Sequence, residues 1–171
     1  MRNLALLCLF VMGSAALAQP SMAPPAEIKK LDWMLGTWEG SFNWDMEGTK
    51  TVATMKMVID MDGQFQRQVT TMEMSGMKVT ETAYLGWNAE KKKYGMYTFT
   101  NFSPEPRIEW GDEKSGEMVF LSEPWNSGMP EKTSSRATLK KLNDKEVSMV
   151  LEFKTGDKWT KVADGTFKKT K

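Results

Sequence analysis

From Thr37 to the end of the chain, apolar residues recur at every second position, and short turn signals interrupt them at regular intervals. A period of two places alternate side chains on opposite faces of a strand. The pattern is clearest in Trp38, Gly40, Phe42 and Trp44, in Ala53, Met55, Met57, Ile59 and Met61, and in Val147, Met149, Leu151 and Phe153. It continues in Val79, Ala83, Leu85 and Trp87, and in Trp159, Ala163 and Phe167. Glu47-Gly48, Asp62-Gly63, Ser75-Gly76, Asn88-Ala89-Glu90, Asn143-Asp144 and Thr155-Gly156-Asp157 supply the turns, using residues that tolerate the backbone angles of tight hairpins. Shorter strands are predicted over 107–110 and 117–122 around an Asp112-to-Gly116 turn, after a Tyr-, Thr- and Phe-rich strand from Lys93 to Phe102. The total is about ten strands. Short links force neighbouring strands to run antiparallel, and a long meander escapes its exposed edges by closing on itself. The predicted fold class is all-β, an antiparallel up-and-down β-barrel with a short N-terminal helix; a two-sheet β-sandwich is the alternative.

The helix is predicted over Ala26–Leu35, where Ile28, Leu31 and Leu35 recur at helical spacing and Gly36 is a stop. Ahead of it, Arg2, an apolar run from Leu4 to Leu17 and Ala16-Leu17-Ala18 make residues 1–18 a signal peptide cleaved near Ala18/Gln19. The protein is thus expected to be exported, periplasmic or secreted. Residues 19–25, with Pro20, Pro24 and Pro25, read as an extended linker, and 26–171 as a single domain. No later run approaches the roughly 20 apolar residues of a membrane helix, so no membrane association is expected of the mature form.

Arg2 leaves with the signal, which reduces the 23 basic residues to 22 against 22 acidic ones. Nucleic acid and anionic membranes both demand a basic excess, and neither is expected as a partner. The lone cysteine, Cys8, lies in the signal, so the domain must hold together by packing, without the disulfides that export usually favours. With no histidine and no mature cysteine, there is no Ser-His-Asp triad, no cysteine nucleophile, no histidine-held zinc and no histidine-held haem. No catalytic set, metal or cofactor is assigned.

The stretch Leu31-Asp32-Trp33-Met34-Leu35-Gly36-Thr37-Trp38-Glu39-Gly40 resembles the opening of lipocalin-like, calycin-type barrels. There a short helix leads into Gly-x-Trp, and the Trp seals the closed end; the resemblance implies that Gly36 and Trp38 form a barrel plug. Where lipocalins pack a basic residue over that Trp from the last strand, this chain offers Lys168 or Lys169. Tyr84-Leu85-Gly86-Trp87-Asn88, Lys92-Lys93-Tyr94 and Tyr97 to Asn101 are similar to the secreted domain-of-unknown-function 1579 family (DUF1579). The opening also resembles nitrobindin-type barrels, which hold haem on a histidine; without one, that function does not carry over.

Two of the 15 methionines leave with the signal, and the 13 that remain include Met55-x-Met57, Met72-x-Met74 and Met77. Clustered thioethers ligate Cu(I) or Ag(I) in some settings, but far more often they fill an irregular core or line an adaptable cavity. Trp125, between Pro124 and Gly128, either flanks a cavity mouth or covers the barrel end. Trp87 and Trp159 read as core. Asp60 and Asp62 with Glu73 read as turn builders before they read as an acid/base pair. Arg67 and Glu81 face either solvent or lumen; if inward, they pair or orient a polar ligand head. Lys91-Lys92-Lys93 is surface, and Asn101-Phe102-Ser103 matches a glycosylation sequon.

Together these features lead to the expectation of an exported barrel that binds a small apolar or amphipathic, hydrophobic ligand in its lumen. Phe42, Met55, Met57, Ile59, Tyr97, Phe99, Met149 and Leu151 are the candidate ligand-binding residues. The alternatives are an enzyme using a cavity carboxylate or Tyr, a methionine-based Cu(I)/Ag(I) module, and a structural or protein-interaction role.

Overall fold

A computed structural model describes residues 23–46, 48–128 and 131–171; the signal segment and most of the linker lie outside the described residues. The fold is all-β. Ten strands, β1 (Gly36–Met46), β2 (Thr49–Asp62), β3 (Phe65–Met74), β4 (Met77–Asn88), β5 (Lys93–Thr100), β6 (Arg107–Lys114), β7 (Glu117–Ser122), β8 (Ser135–Asn143), β9 (Glu146–Thr155) and β10 (Lys158–Lys169), form one closed barrel. Each strand pairs antiparallel with its sequence neighbours, and β1 closes the circle against β10. The two-sheet sandwich is therefore not adopted.

The hairpins follow their turn residues. Met74 pairs with Met77 across Ser75-Gly76, which take φ of 49° and 79°, the doubly positive pattern whose twist matches that of the flanking strands. Ser115-Gly116 repeats it with φ of 56° and 79°. This turn lies further along than the predicted one, so β6 runs on to Lys114.

The predicted helix over Ala26–Leu35 is corrected. One α-turn, α1 (Ala26–Lys29), gives way to a 3-10 turn at Asp32–Met34. The cause lies in the spacing of the buried residues. Ile28, Leu31 and Met34, each three apart, are all buried, whereas Leu35 is only half-buried. Three residues per turn keep such a row on one face, and i to i+3 hydrogen bonds from Leu31, Met34 and Leu35 tighten the segment accordingly.

This segment plugs one end of the barrel, held there by side chains from four strands. Trp38 Nε1 donates to Met34 O at 2.7 Å, Gln66 Nε2 to Leu31 O at 3.0 Å, Tyr94 Oη to Glu27 O at 3.1 Å and Lys169 Nζ to Trp33 O at 3.1 Å. Short helical turns leave carbonyls without intrahelical partners; Trp38, Tyr94 and Lys169 supply them, and Gln66 adds a second donor to Leu31 O beside Met34 N. Lys169 Nζ also lies 5.4 Å from the Trp38 ring centroid, so of the two candidate lysines it is Lys169 that stands over the first-strand tryptophan. Gly36 has φ of +124°, and a Cβ there would meet Lys171 O at 2.2 Å. Only glycine lets the chain enter β1 beside the end of β10.

One register shift matters for which residues face inward. Val162 is an extra residue in β10, inserted between the pairs of Lys161 and Ala163, and such a bulge reverses the alternation on either side. Trp159 consequently pairs opposite Lys154 and lies beneath the Arg136 guanidinium, 4.9 Å from its ring centroid, on the outer face. Its assignment to the core together with Ala163 and Phe167 is corrected. Trp87 does pack against the core, edge-on to Tyr94 at 5.1 Å.

Candidate functional site

The barrel encloses a cavity of about 370 Å³, running from beneath Met34 of the plug to a rim where Met77 and Phe102 are exposed. That volume falls in the lower part of the roughly 300–1,000 Å³ range of small-molecule sites. A separate depression of about 420 Å³ lies between Asn43–Asp45, Lys50–Val52 and Lys161–Asp164. Its exposed Lys161 and Asp164 already pair at 2.9 Å, so the enclosed cavity is the candidate site.

One wall is apolar. Phe42 and Trp44 come from β1, Met55, Met57 and Ile59 from β2, Ala137 and Leu139 from β8, and Met149, Leu151 and Phe153 from β9. Alternation places them together on the inner face, with Val52 and Val58 of β2 and Val150 of β9 on the outer one. Met72 and Met74 of β3, Met77 of β4, Met96 of β5 and Met34 of the plug add further thioethers, so eight methionines line the cavity. Unbranched thioethers re-pack readily and suit a surface that adapts to its contents.

The other wall carries the polar groups, set among Val79, Ala83, Leu85 and Met96. Gln66, Gln68 and Thr70 of β3, Glu81 of β4, and Arg107 and Glu109 of β6 face inward. The Arg107 guanidinium lies 3.1 Å from Glu109 Oε2 through Nε and 3.8 Å from Glu81 Oε1 through Nη1. Glu109 is 1% exposed; the Arg107 and Glu81 side chains are each 16% exposed. The Arg107–Glu109 contact is an ion pair, but its N–H is not aligned along it, and both Arg107 Nε and Glu109 Oε2 lack a hydrogen-bond partner. Arg107 also stacks on Trp125, 5.2 Å from the ring centroid. Burial raises the Glu81 carboxyl above its ordinary pKa, Arg107 opposes the shift and Glu109 adds to it. Burial pulls the Arg107 guanidinium down, but the Glu109 and Glu81 carboxylates outweigh it and raise its pKa.

Further polar atoms on this side are buried without a partner: Gln66 Oε1, Trp125 Nε1 and Ser127 Oγ among the cavity residues, and Thr98 Oγ1 and Thr100 Oγ1 on β5. Buried polar groups in folded proteins are nearly always paired with protein or water.

Of the eight lumen residues expected from the sequence, Phe42, Met55, Met57, Ile59, Met149 and Leu151 line the cavity. Tyr97 and Phe99 do not: they point outward, 42% and 54% exposed, and Tyr97 packs edge-on against Trp110 at 6.3 Å. The inward positions of β5 belong to Tyr94, Met96 and Thr98. Trp125 is buried at the cavity edge, edge-on to Phe102, and bridges to Thr133, so it both flanks and covers the mouth. Glu81 faces the lumen, but its partner is Arg107. Arg67 lies outside in a two-point contact with Asp60, at 3.0 and 2.6 Å. Asp60 is therefore an ion-pair partner, its carboxyl held below the usual range by Arg67. Arg107 and Glu109 were missed because Ile108 and Trp110, the apolar residues of that strand, suggest the opposite parity.

The fold and site together define a closed antiparallel barrel with a two-faced internal cavity. In comparisons with known proteins, the chain matches no protein-family model and no curated protein sequence. Among the described residues no helix is long and apolar enough to cross a membrane.

Proposed function

We propose that this is an exported barrel, related to the secreted domain-of-unknown-function 1579 proteins, that binds a small apolar or amphipathic molecule in its lumen. The observation that carries this reading is the enclosed cavity, walled by methionine and aromatic side chains and reached past Trp125 and Phe102. An apolar wall facing a polar one suits a molecule with a hydrocarbon body and one polar group, since enclosed sites gain affinity from apolar contact and orientation from a few polar groups. Native mass spectrometry of the protein purified from its own host tests it. A mass excess that disappears on organic extraction supports the reading; a bare polypeptide mass that stays bare after incubation with mixed lipids counts against it.

A second reading, soft-metal handling, rests on the register that sets Met55 opposite Met72 and Met74 opposite Met77. Four thioethers thereby share one wall with Met57, and soft sulfur selects Cu(I) and Ag(I). Calorimetry with Ag(I) decides it: the absence of binding tighter than micromolar removes the reading.

A further inference from the structure

The charges in the cavity do not balance. Among the described residues lining it, the charged ones are Arg107, Glu81 and Glu109, one cation against two carboxylates. The cation is unequally shared, at 3.1 Å from Glu109 and 3.8 Å from Glu81, and its face is occupied by Trp125. Arg107 is the one ion-pair partner of Glu81 among the described residues. Beside Glu81 in the sheet stand Thr70 and Thr100, and the Thr100 hydroxyl is itself buried without a partner. A buried carboxylate is costly to hold until it gains a counter-charge and hydrogen-bond donors.

A ligand carboxylate entering this cavity would add a third negative group beside a guanidinium that already serves two. An ammonium would bring the missing cation and three donors, with acceptors available in Glu81 and Thr100. Its hydrocarbon chain would lie against Phe42, Met55, Met149 and Leu151 on the opposite wall.

We propose that the lumen selects amphiphiles bearing a primary ammonium head over carboxylates of the same chain length, with Glu81 as the group that receives the ammonium. This rests on the reading of the lumen as a binding cavity, and the test separates the two. Decylamine, decanol and decanoate, each below its micelle threshold, are titrated calorimetrically into the full-length mature protein at neutral pH. The expected order is decylamine tightest and decanoate weakest, with decylamine favoured over decanol by about tenfold or more, as a desolvated charge pair provides. In Glu81→Gln the decylamine advantage over decanol is expected to fall to about threefold or less while decanol binding persists. Persistent decanol binding also shows that this variant is folded. Decanoate binding as tightly as decylamine, or an unchanged preference in Glu81→Gln, overturns the head-group proposal and leaves the lumen reading standing. No binding of any of the three overturns both.

Discussion

Arg107 Nε lies 3.1 Å from Glu109 Oε2 deep in the barrel wall, yet its N–H does not point at that oxygen. The pair is joined by charge and left short of hydrogen bonds. Because Glu81 shares the same guanidinium, removing the cation leaves two buried carboxylates together. Arg107→Met is expected to destabilise the fold by about 3–5 kcal/mol, the usual result of stranding a buried charge. Replacing all three groups by apolar residues of similar volume is expected to be close to neutral or stabilising. Urea denaturation of the single and triple variants measures both; a single variant as stable as the parent contradicts the burial argument.

Glu81 also sets a pH dependence. Its carboxyl is raised above the ordinary 4.5 mainly by burial. The folded state therefore holds a proton that the unfolded chain releases as pH climbs past that ordinary value. Stability attributable to Glu81 is fully present below the unfolded pKa and is lost as pH rises through the folded one. The ion-paired carboxyls of Asp60, Glu105, Asp144 and Glu152 are lowered, so their contribution, screened by solvent at the more exposed ones, is lost in the opposite direction, on acidification. Denaturant midpoints across the mildly acidic range are expected to fall less with rising pH in Glu81→Gln than in the parent. Identical slopes contradict this assignment.

The plug depends on donors from the barrel. Tyr94→Phe strands Glu27 O of the short helical segment, whereas Gln66→Leu removes one of two donors to Leu31 O, which still accepts from Met34 N. The first is expected to cost about 1–3 kcal/mol, the penalty of an unmet polar group, and the second about 0.5–1.5 kcal/mol, the net worth of one hydrogen bond. In Gln66→Leu part is returned, because Gln66 Oε1 has no partner to lose. Tyr94→Phe should therefore be the more harmful relative to its size change. Equilibrium unfolding of the two variants gives the comparison, and a neutral Tyr94→Phe contradicts it.

The legibility of the fold varied with how well apolar character reported direction. In β1, β2 and β9 most apolar residues, and all the methionines and aromatics, occupy a single parity, so Phe42, Met55, Met57, Ile59, Met149 and Leu151 are readable as inward from the sequence. In β5 and β6 the rule reverses: Tyr97, Phe99, Ile108 and Trp110 cover the outside, while Thr98, Arg107 and Glu109 face the cavity. A cavity that keeps polar groups inside defeats any parity chosen by hydrophobicity. The bulge at Val162 hid the orientation of Trp159 in another way, since an inserted residue leaves no mark in an otherwise alternating strand. Glu81 was visible as a mid-strand charge, but its partner stands two strands further on, on β6, and reaches it across β5.

The central claim is that the cavity between Met34 and the Trp125 rim is a binding site, and filling it is the most direct test. Ala137, on the β8 wall, lines the cavity and is half-buried, so Ala137→Trp would project an indole into the space. A polarity-sensitive neutral probe, N-phenyl-1-naphthylamine, is titrated into the parent and the variant, with far-ultraviolet circular dichroism confirming that both remain β-rich. The account predicts saturable, blue-shifted probe emission in the parent and its loss, by about tenfold or more in affinity, in Ala137→Trp. Equal probe binding by the folded variant, or no saturable binding by the parent, would contradict it.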